Sequence, residues 1–172
     1  YFGAIRHGEN STLRLDFFGG NEKTHFAFFG ATREQLAENR RANPFSPYEE
    51  AKDDFTQPHY QLSHTWQLRD DLLLANTAYF IKGDGFFKDQ DFSDPSHVRF
   101  DHLDISHYGW LPRVTWNHQG GPLSVGGELR ANATRHWGEV LGAATVPGSE
   151  SGSVRSPRLY DYDADKVTVG LF

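Results

Sequence analysis

Hydrophobic and polar residues alternate along most of the chain, most clearly in residues 56–68, TQPHYQLSHTWQL. One set of alternate positions carries apolar side chains: Tyr60, Leu62, Trp66 and Leu68. The positions between them carry polar side chains: Gln57, His59, Gln61, Ser63, Thr65 and Gln67. A period of two predicts a β-strand with one apolar and one polar face. His64 is the exception, because it shares the apolar side with Trp66.

The same pattern predicts about seven strands separated by turn signals. They cover residues 1–7, 11–29, 55–68, 72–87, 105–118, 123–137 and 158–172. Tight turns at 8–10, 69–71 and 119–122 alternate with long polar segments at 30–54, 88–104 and 139–157. In the first long segment we expect Thr32 to cap a short helix that Pro44 closes. Because every second connection is long, the large loops are all expected at one end of the sheet.

Strand length and aromatic position together favour a membrane protein. Several predicted strands exceed the about 5 to 6 residues usual in soluble sheets. Trp and Tyr cluster towards strand ends, as they do at the two interfaces of a membrane. The prediction is an all-β fold, a segment of an antiparallel up-and-down transmembrane β-barrel with short periplasmic turns and long extracellular loops. The predicted lipid-side aromatic belt is Tyr60, Trp66, Tyr108, Trp110, Trp116 and Trp137. A soluble sheet with one face on a core would alternate in the same way.

Two predicted strands depart from the alternation. Residues 72–84 place apolar and polar side chains on one side: Leu72, Leu74, Asn76, Phe80, Lys82 and Asp84. In the last strand, Tyr160 and Tyr162 are out of phase with Val167, Val169 and Leu171. A β-bulge near Ala164 would return them to one face, and we expect one there.

Composition narrows the classes of function. The net charge of −6, without a dense Lys/Arg stripe, argues against nucleic acid as a partner. The chain has no Cys, and its 9 His lack HExxH or His-x-His spacing, so no metal site is expected. Loop-side carboxylates at no fixed separation indicate no catalytic pair, hence no enzyme. Both termini interrupt predicted strands, so residues 1–172 are expected to be part of a larger barrel domain.

Four segments carry a family resemblance: FGGNEKTHFAFFGATREQL (18–36), NPF (43–45), DDFTQPHYQLSHTWQL (53–68) and LLLANTAYFIKGDGFFKDQ (72–90). Together they resemble the barrel of TonB-dependent outer-membrane receptors, above all the ferric-siderophore and ferric-citrate type. The resemblance covers most of residues 1–120 and implies a barrel of about 22 strands with a plugged lumen. It also implies residence in the outer membrane of a Gram-negative bacterium, with neither the plug domain nor a TonB box inside residues 1–172. The implied partners are outer-membrane lipid, the protein's own plug domain, the TonB complex acting through that plug, and a ferric chelate.

Binding and gated transport, without a cofactor, is the function that this resemblance implies. Guanidinium groups suit the carboxylate or catecholate oxygens of a ferric chelate. The candidate ligand contacts in the extracellular loops are Arg33, Arg40, Arg41, His59, His97, Arg99 and His102. The candidates for facing the lumen and the plug are Arg14, Asp16, Gln61, Arg113, Glu128 and Arg130. The alternatives are a plugless porin-like barrel and a soluble all-β module that binds carbohydrate or another ligand.

Overall fold

A computed structural model describes residues 1–25, 30–43, 50–90, 97–142 and 158–172. It contains nine strands and one short helix. In chain order they are β1 (Phe2–His7), β2 (Ser11–Phe18), β3 (Asn21–Thr24), α1 (Arg33–Glu38), β4 (Lys52–Thr56), β5 (His59–Arg69), β6 (Leu72–Gln90), β7 (His97–His118), β8 (Gly121–Gly142) and β9 (Tyr160–Leu171). Every pairing is antiparallel within one sheet, so the prediction of an all-β, up-and-down fold is confirmed.

The strands follow one another across the sheet in the order β1-β2-β5-β6-β7-β8-β9. The sheet is not closed, and β1 and β9 form its two edges. Strands β3 and β4 pair with each other, and β4 also pairs with the far half of β6, beyond the point where β5 begins. The predicted tight turns at 8–10, 69–71 and 119–122 all lie at one end of the sheet, which we call the turn end. The opposite end is the loop end.

Two of the predicted strands are each divided into two. The predicted strand 11–29 breaks at Gly19, where a Cβ atom would lie 2.7 Å from the Gln57 carbonyl oxygen and from Pro58 Cα. The predicted strand 55–68 breaks at Gln57 and Pro58, since proline has no N–H for the sheet. Strand β5 begins directly after Pro58, at His59. Residues 26–29 lie outside the described part of the chain.

The predicted loop at 88–104 is wrong over most of its length. Strand β6 continues to Gln90 and β7 begins at His97, and the two strands pair without interruption out to Gln90 and Val98. The helix prediction in the first long segment is confirmed. Thr32 Oγ1 accepts a hydrogen bond from the Gln35 backbone N–H at 3.2 Å, and Gln35 Oε1 accepts one from the Thr32 N–H at 2.8 Å. Pro44 lies outside the described residues.

The sheet is a single layer with almost no core. Apart from glycines, the buried residues in the described part of the chain are Ala51, Val140 and Asp16. Both faces of the sheet are therefore half-exposed along most of their length. In the same residues no helix is long and apolar enough to cross a membrane.

The predicted bulge near Ala164 is wrong. Strands β8 and β9 keep one continuous register from the Gly127–Leu171 pair to the Gly138–Tyr160 pair. Tyr160 and Tyr162 therefore lie on the opposite face of the sheet from Val167, and no bulge moves them to the face of Val167.

Candidate functional site

The register divides the side chains between two faces of different chemistry. One row across the sheet consists of Leu15, Leu62, Ala78, Trp110, Leu129 and Val169, and we call its side the apolar face. The adjacent row consists of Asp16, Gln61, Tyr79, Gly109, Arg130 and Thr168, and we call its side the polar face. The predicted alternation holds along β2, β5 and β8. It fails in β1, where Ile5 pairs with Arg14 on the polar face and Arg6 pairs with Leu13 on the apolar face.

Rings border the apolar face on both sides. Towards the loop end, Phe17, Tyr60, Phe80 and Tyr108 form one continuous row with ring centroids 5.0, 5.9 and 4.8 Å apart in that order. Towards the turn end lie Trp66 and Trp116, and the Trp116 indole N–H donates to Asp71 Oδ2 at 2.9 Å. His64 also lies on this face, with its ring centroid 6.2 Å from that of Trp66. We call the region between these two borders the apolar band.

Beyond the aromatic row the apolar face becomes charged. Lys82 forms an ion pair with Asp104, one row further towards the loop end. Asn76 lies inside the band, where its Oδ1 accepts a hydrogen bond from the Trp110 indole N–H at 3.3 Å. These contacts explain why one side of β6 carries both apolar and polar residues. Its charged residues lie past the band, and Asn76, its polar residue within the band, has a hydrogen-bond partner.

Trp137 does not lie with the other predicted belt residues. It is on the apolar face, but well past the Tyr108 row towards the loop end. Its ring stacks on His102 with the centroids 4.8 Å apart, and the Arg135 and Arg158 guanidinium groups lie 5.4 and 5.3 Å from the ring centroid. Trp137 therefore lies in the charged region, while Trp110 lies one row inside the band.

The six candidates for the lumen all lie on the polar face: Arg14, Asp16, Gln61, Arg113, Glu128 and Arg130. Asp16 is 4% exposed, accepts from the Tyr1 hydroxyl at 2.6 Å and pairs with Arg14 Nε at 2.7 Å. Arg130 Nη2 donates to Glu128 Oε1 at 2.8 Å. At the level of the apolar band, the polar face thus carries two ion pairs, and the Arg113 guanidinium lies 5.9 Å from the centroid of the Phe172 ring.

The seven candidates for ligand contact are not brought together. Arg33 lies in α1, and Arg40 and Arg41 follow it; in the described residues none of the three forms an ion pair. His59 lies on the polar face, stacked on Phe18 at 4.7 Å. The other three were predicted in a loop but lie in strand β7, with His97 and Arg99 on the polar face and His102 on the apolar face.

A polar cluster at the loop end of the polar face was missed in the sequence. The Tyr160 hydroxyl donates to Asp101 Oδ1 at 2.5 Å and lies 3.0 Å from His136 Nε2. His136 Nδ1 lies 2.7 Å from the Tyr162 hydroxyl, and Arg99 Nε donates to Asp101 Oδ1 at 3.0 Å. Burial, followed by the hydrogen bond to Asp101, raises the pKa of Tyr160 to about 12. Strict alternation along β9, without a bulge, places Tyr160 and Tyr162 on the polar face beside His136.

A cavity of about 170 Å³ adjoins this cluster and shares Asp101 with it. Its lining is mainly aromatic and aliphatic with three carboxylates: Glu22, Asp53, Phe55, Phe86, Phe87, Asp101 and Leu103. Burial raises the pKa of Asp53, and the nearby Glu22 and Asp54 carboxylates raise it further. Apolar walls with a few polar groups are typical of ligand-binding sites.

Neither a metal centre nor a known relative defines the site. Within the described ranges, no three His, Asp or Glu side chains are grouped closely enough to hold a metal ion. Comparison with protein families, curated proteins and solved structures finds no significant match. The case for a function therefore depends on the two faces and on the loop-end cluster.

Proposed function

We propose that this chain forms part of the wall of an outer-membrane β-barrel, in a TonB-dependent receptor that takes up a ferric chelate. One observation carries the proposal: the apolar band is bordered by rings on both sides and is covered by no other described element. Its members are well exposed, for example Leu62 at 42%, Leu129 at 46% and Val169 at 71%. Soluble proteins rarely leave so large an apolar surface in water, whereas lipid covers it. The polar members of the band are His64, Asn76 and, on the edge strand β1, Arg6.

The dimensions of the band support a crossing of the membrane. Along β7, Tyr108 and Trp116 are eight residues apart, which is roughly 27 Å of strand at about 3.4 Å per residue. At a tilt of about 40° the band is roughly 20 Å tall, close to the about 25 Å of outer-membrane barrels. Strands β6, β7 and β8 continue past it, which fits walls that extend outward beyond the membrane.

The two sheet edges support the same proposal. Unpaired backbone N–H and C=O groups cost several kcal/mol each in hydrocarbon, so strands span a membrane only as closed barrels. In the proposed receptor, further strands pair with β1 and β9 and close the wall. The polar face then lines a wet lumen, where the ion pair of Arg14 and Asp16 and that of Glu128 and Arg130 can bind a plug domain.

Ligand binding is proposed at the loop end, on the extracellular side. Arg33, Arg40 and Arg41 form no ion pair within the described part of the chain, and their guanidinium groups suit the oxygens of an anionic chelate. The cluster of Tyr160, His136 and Asp101 supplies further hydrogen-bond groups at the loop end of the polar face. The ligand binds outside with high affinity, and TonB-dependent work on the plug opens the path, so transport follows from a difference in affinity between two states.

Fractionation of cells that express the full-length protein tests the barrel. We expect the protein in the outer-membrane fraction, released only by detergent, with gel mobility that changes on boiling. Recovery of folded full-length protein from the soluble fraction without detergent would exclude every barrel, including a porin.

Uptake of radiolabelled ferric citrate under iron limitation tests the ligand and the energy source. Deletion of the gene and deletion of TonB should each abolish the uptake. Replacing Arg40 and Arg41 by Gln should lower it by about tenfold or more, since charge-assisted hydrogen bonds contribute about 1.5–3 kcal/mol each. Arg69→Gln is the matched control, because Arg69 pairs with Asp71 at the turn end. TonB-independent passage of small sugars would instead support a plugless porin.

A further inference from the structure

A second cavity lies on the polar face, at the level of the ring row that ends at Tyr108. Its volume is about 260 Å³, and its lining is His107, Arg130, Asn132, Lys166 and Thr168. Three neighbouring strands build it, since His107 on β7 pairs with Asn132 on β8, which in turn pairs with Lys166 on β9. Arg130 and Thr168 form the next pair towards the turn end. The cavity is therefore held by the continuous register of the sheet.

The lining offers hydrogen-bond donors and positive charge but no carboxylate. In the described part of the chain, Lys166 forms no ion pair. Asn132 Oδ1 already accepts from the Thr134 hydroxyl at 2.8 Å, which leaves the amide N–H groups of Asn132 to donate. Thr168 adds a hydroxyl and His107 a ring nitrogen.

Arg130 adds a guanidinium group to the same lining. Its Nη2 donates to Glu128 Oε1 at 2.8 Å, and its side chain is 43% exposed, so the group is not closed off from an anion in the cavity. A group with several acceptor oxygens would interact with Arg130 and Lys166 together.

We infer that this cavity is an anion site that takes a carboxylate group. A carboxylate has two oxygens and about four acceptor positions, which match the guanidinium, the ammonium, the hydroxyl and the amide present here. The cavity is smaller than the about 300–1,000 Å³ of pockets for drug-sized ligands, so it suits one such group rather than a whole chelate.

The inference deepens the proposed function and rests on it for one point only, the position of the cavity inside a lumen. In a lumen, the cavity would bind an anionic ligand transiently as the ligand moves inward. The same chemistry would also bind a carboxylate side chain from the segment that fills the lumen. Both sources present carboxylate oxygens to the same donors, and the experiment separates them.

Titration calorimetry of the full-length protein in detergent, with citrate as the probe, tests the site. We expect citrate to bind, Lys166→Gln to weaken the binding by about tenfold, and Lys166→Arg to retain most of it. Lys82→Gln is the matched control, since Lys82 lies on the apolar face and already pairs with Asp104. It should leave citrate binding unchanged.

The outcomes distinguish the two sources and can overturn the inference. If a side-chain carboxylate of the protein occupies the cavity, citrate will not bind, but Lys166→Gln will lower the unfolding midpoint while Lys166→Arg will keep it. Absence of citrate binding together with unchanged midpoints for both Lys166 variants would overturn the anion site. Citrate binding by a full-length protein that fractionates as soluble would keep the anion site and reject the barrel, so the two proposals fail separately.

Discussion

Tyr160 on β9 donates a hydrogen bond to Asp101 on β7 across the whole width of β8. The phenol can span that distance because Gly138 lies between the two residues in the register. A Cβ atom on Gly138 would lie 2.4 Å from the Tyr160 ring, so only glycine lets the ring lie flat on the strand. One small residue thus connects three strands at the loop end of the polar face.

Gly138→Val is predicted to displace the Tyr160 ring and break its bond to Asp101. Loss of that bond should destabilise the loop end by about 1 kcal/mol, since a hydrogen bond to a charged group contributes about 1.5–3 kcal/mol and this one is partly exposed. The pKa of Tyr160 should fall from about 12 towards its ordinary value of 10.0. Phenolate absorbance measures the change in a pH titration. Ala133→Val on the same strand is the control. If the Tyr160 phenol still titrates near pH 12 in Gly138→Val, the glycine is not what allows its hydrogen bond to Asp101.

The raised pKa of Tyr160 also predicts how stability depends on alkaline pH. The folded protein favours the neutral phenol, so its contribution is complete below pH 10.0 and is lost as the pH rises through about 12. The unfolding midpoint of the wild type should therefore fall more steeply across this window than that of Tyr160→Phe. Parallel curves for the two proteins would show that the phenol is not held neutral by folding.

Asp161 predicts a transition at acidic pH. Hydrogen bonds from Arg135, and to a smaller extent from Arg158, lower its pKa from 3.8 to about 2. The stabilisation is therefore present above pH 3.8 and lost as the pH falls through about 2. Both arginines lie over the Trp137 ring, so its fluorescence should report their release.

The signal of Trp137 can be isolated as the difference in emission between the wild type and Trp137→Phe. Asp161→Asn should remove the acidic transition from that signal. Asp165→Asn should keep it, because Asp165 is on the same strand and face but has no ion pair in the described residues. If the acidic transition is still present in Asp161→Asn, another carboxylate causes it.

Alternation, turn residues and helix capping were readable from the sequence because each depends on local chemistry. The tight turns at 8–10, 69–71 and 119–122 were predicted from Gly, Asp, Asn and Pro, and all three are present. Thr32 with Gln35 three residues later is a local signal too, and it caps α1. At the level of the apolar band, one face of the sheet carries mainly apolar side chains and the other mainly polar ones, so the period of two is visible in the sequence.

The errors in strand extent and register lie beyond the apolar band, where both faces of a strand are polar or mixed. Residues 97–104 contain His97, Asp101, His102 and Asp104, which look like a loop but form β7 through pairing with β6 and β8. The bulge near Ala164 was inferred on the assumption that one face stays apolar along the whole strand. Strand β9 instead leaves the band at Asp165, and the register continues unchanged. Pairing with distant strands fixes these segments, and no local pattern encodes it.

The two faces predict different losses of stability for the same substitution at neighbouring positions of β5. Leu62 lies in the apolar band and Ser63 on the polar face, paired with Thr77. If the band faces lipid, Leu62→Arg should destabilise the full-length barrel by about 2–4 kcal/mol, because a guanidinium near the bilayer midplane loses its hydration. Ser63→Arg should cost less than about 1 kcal/mol, since a wet lumen hydrates the charge. Urea unfolding in lipid vesicles measures both, and equal costs at the two positions would mean that the apolar band does not face lipid.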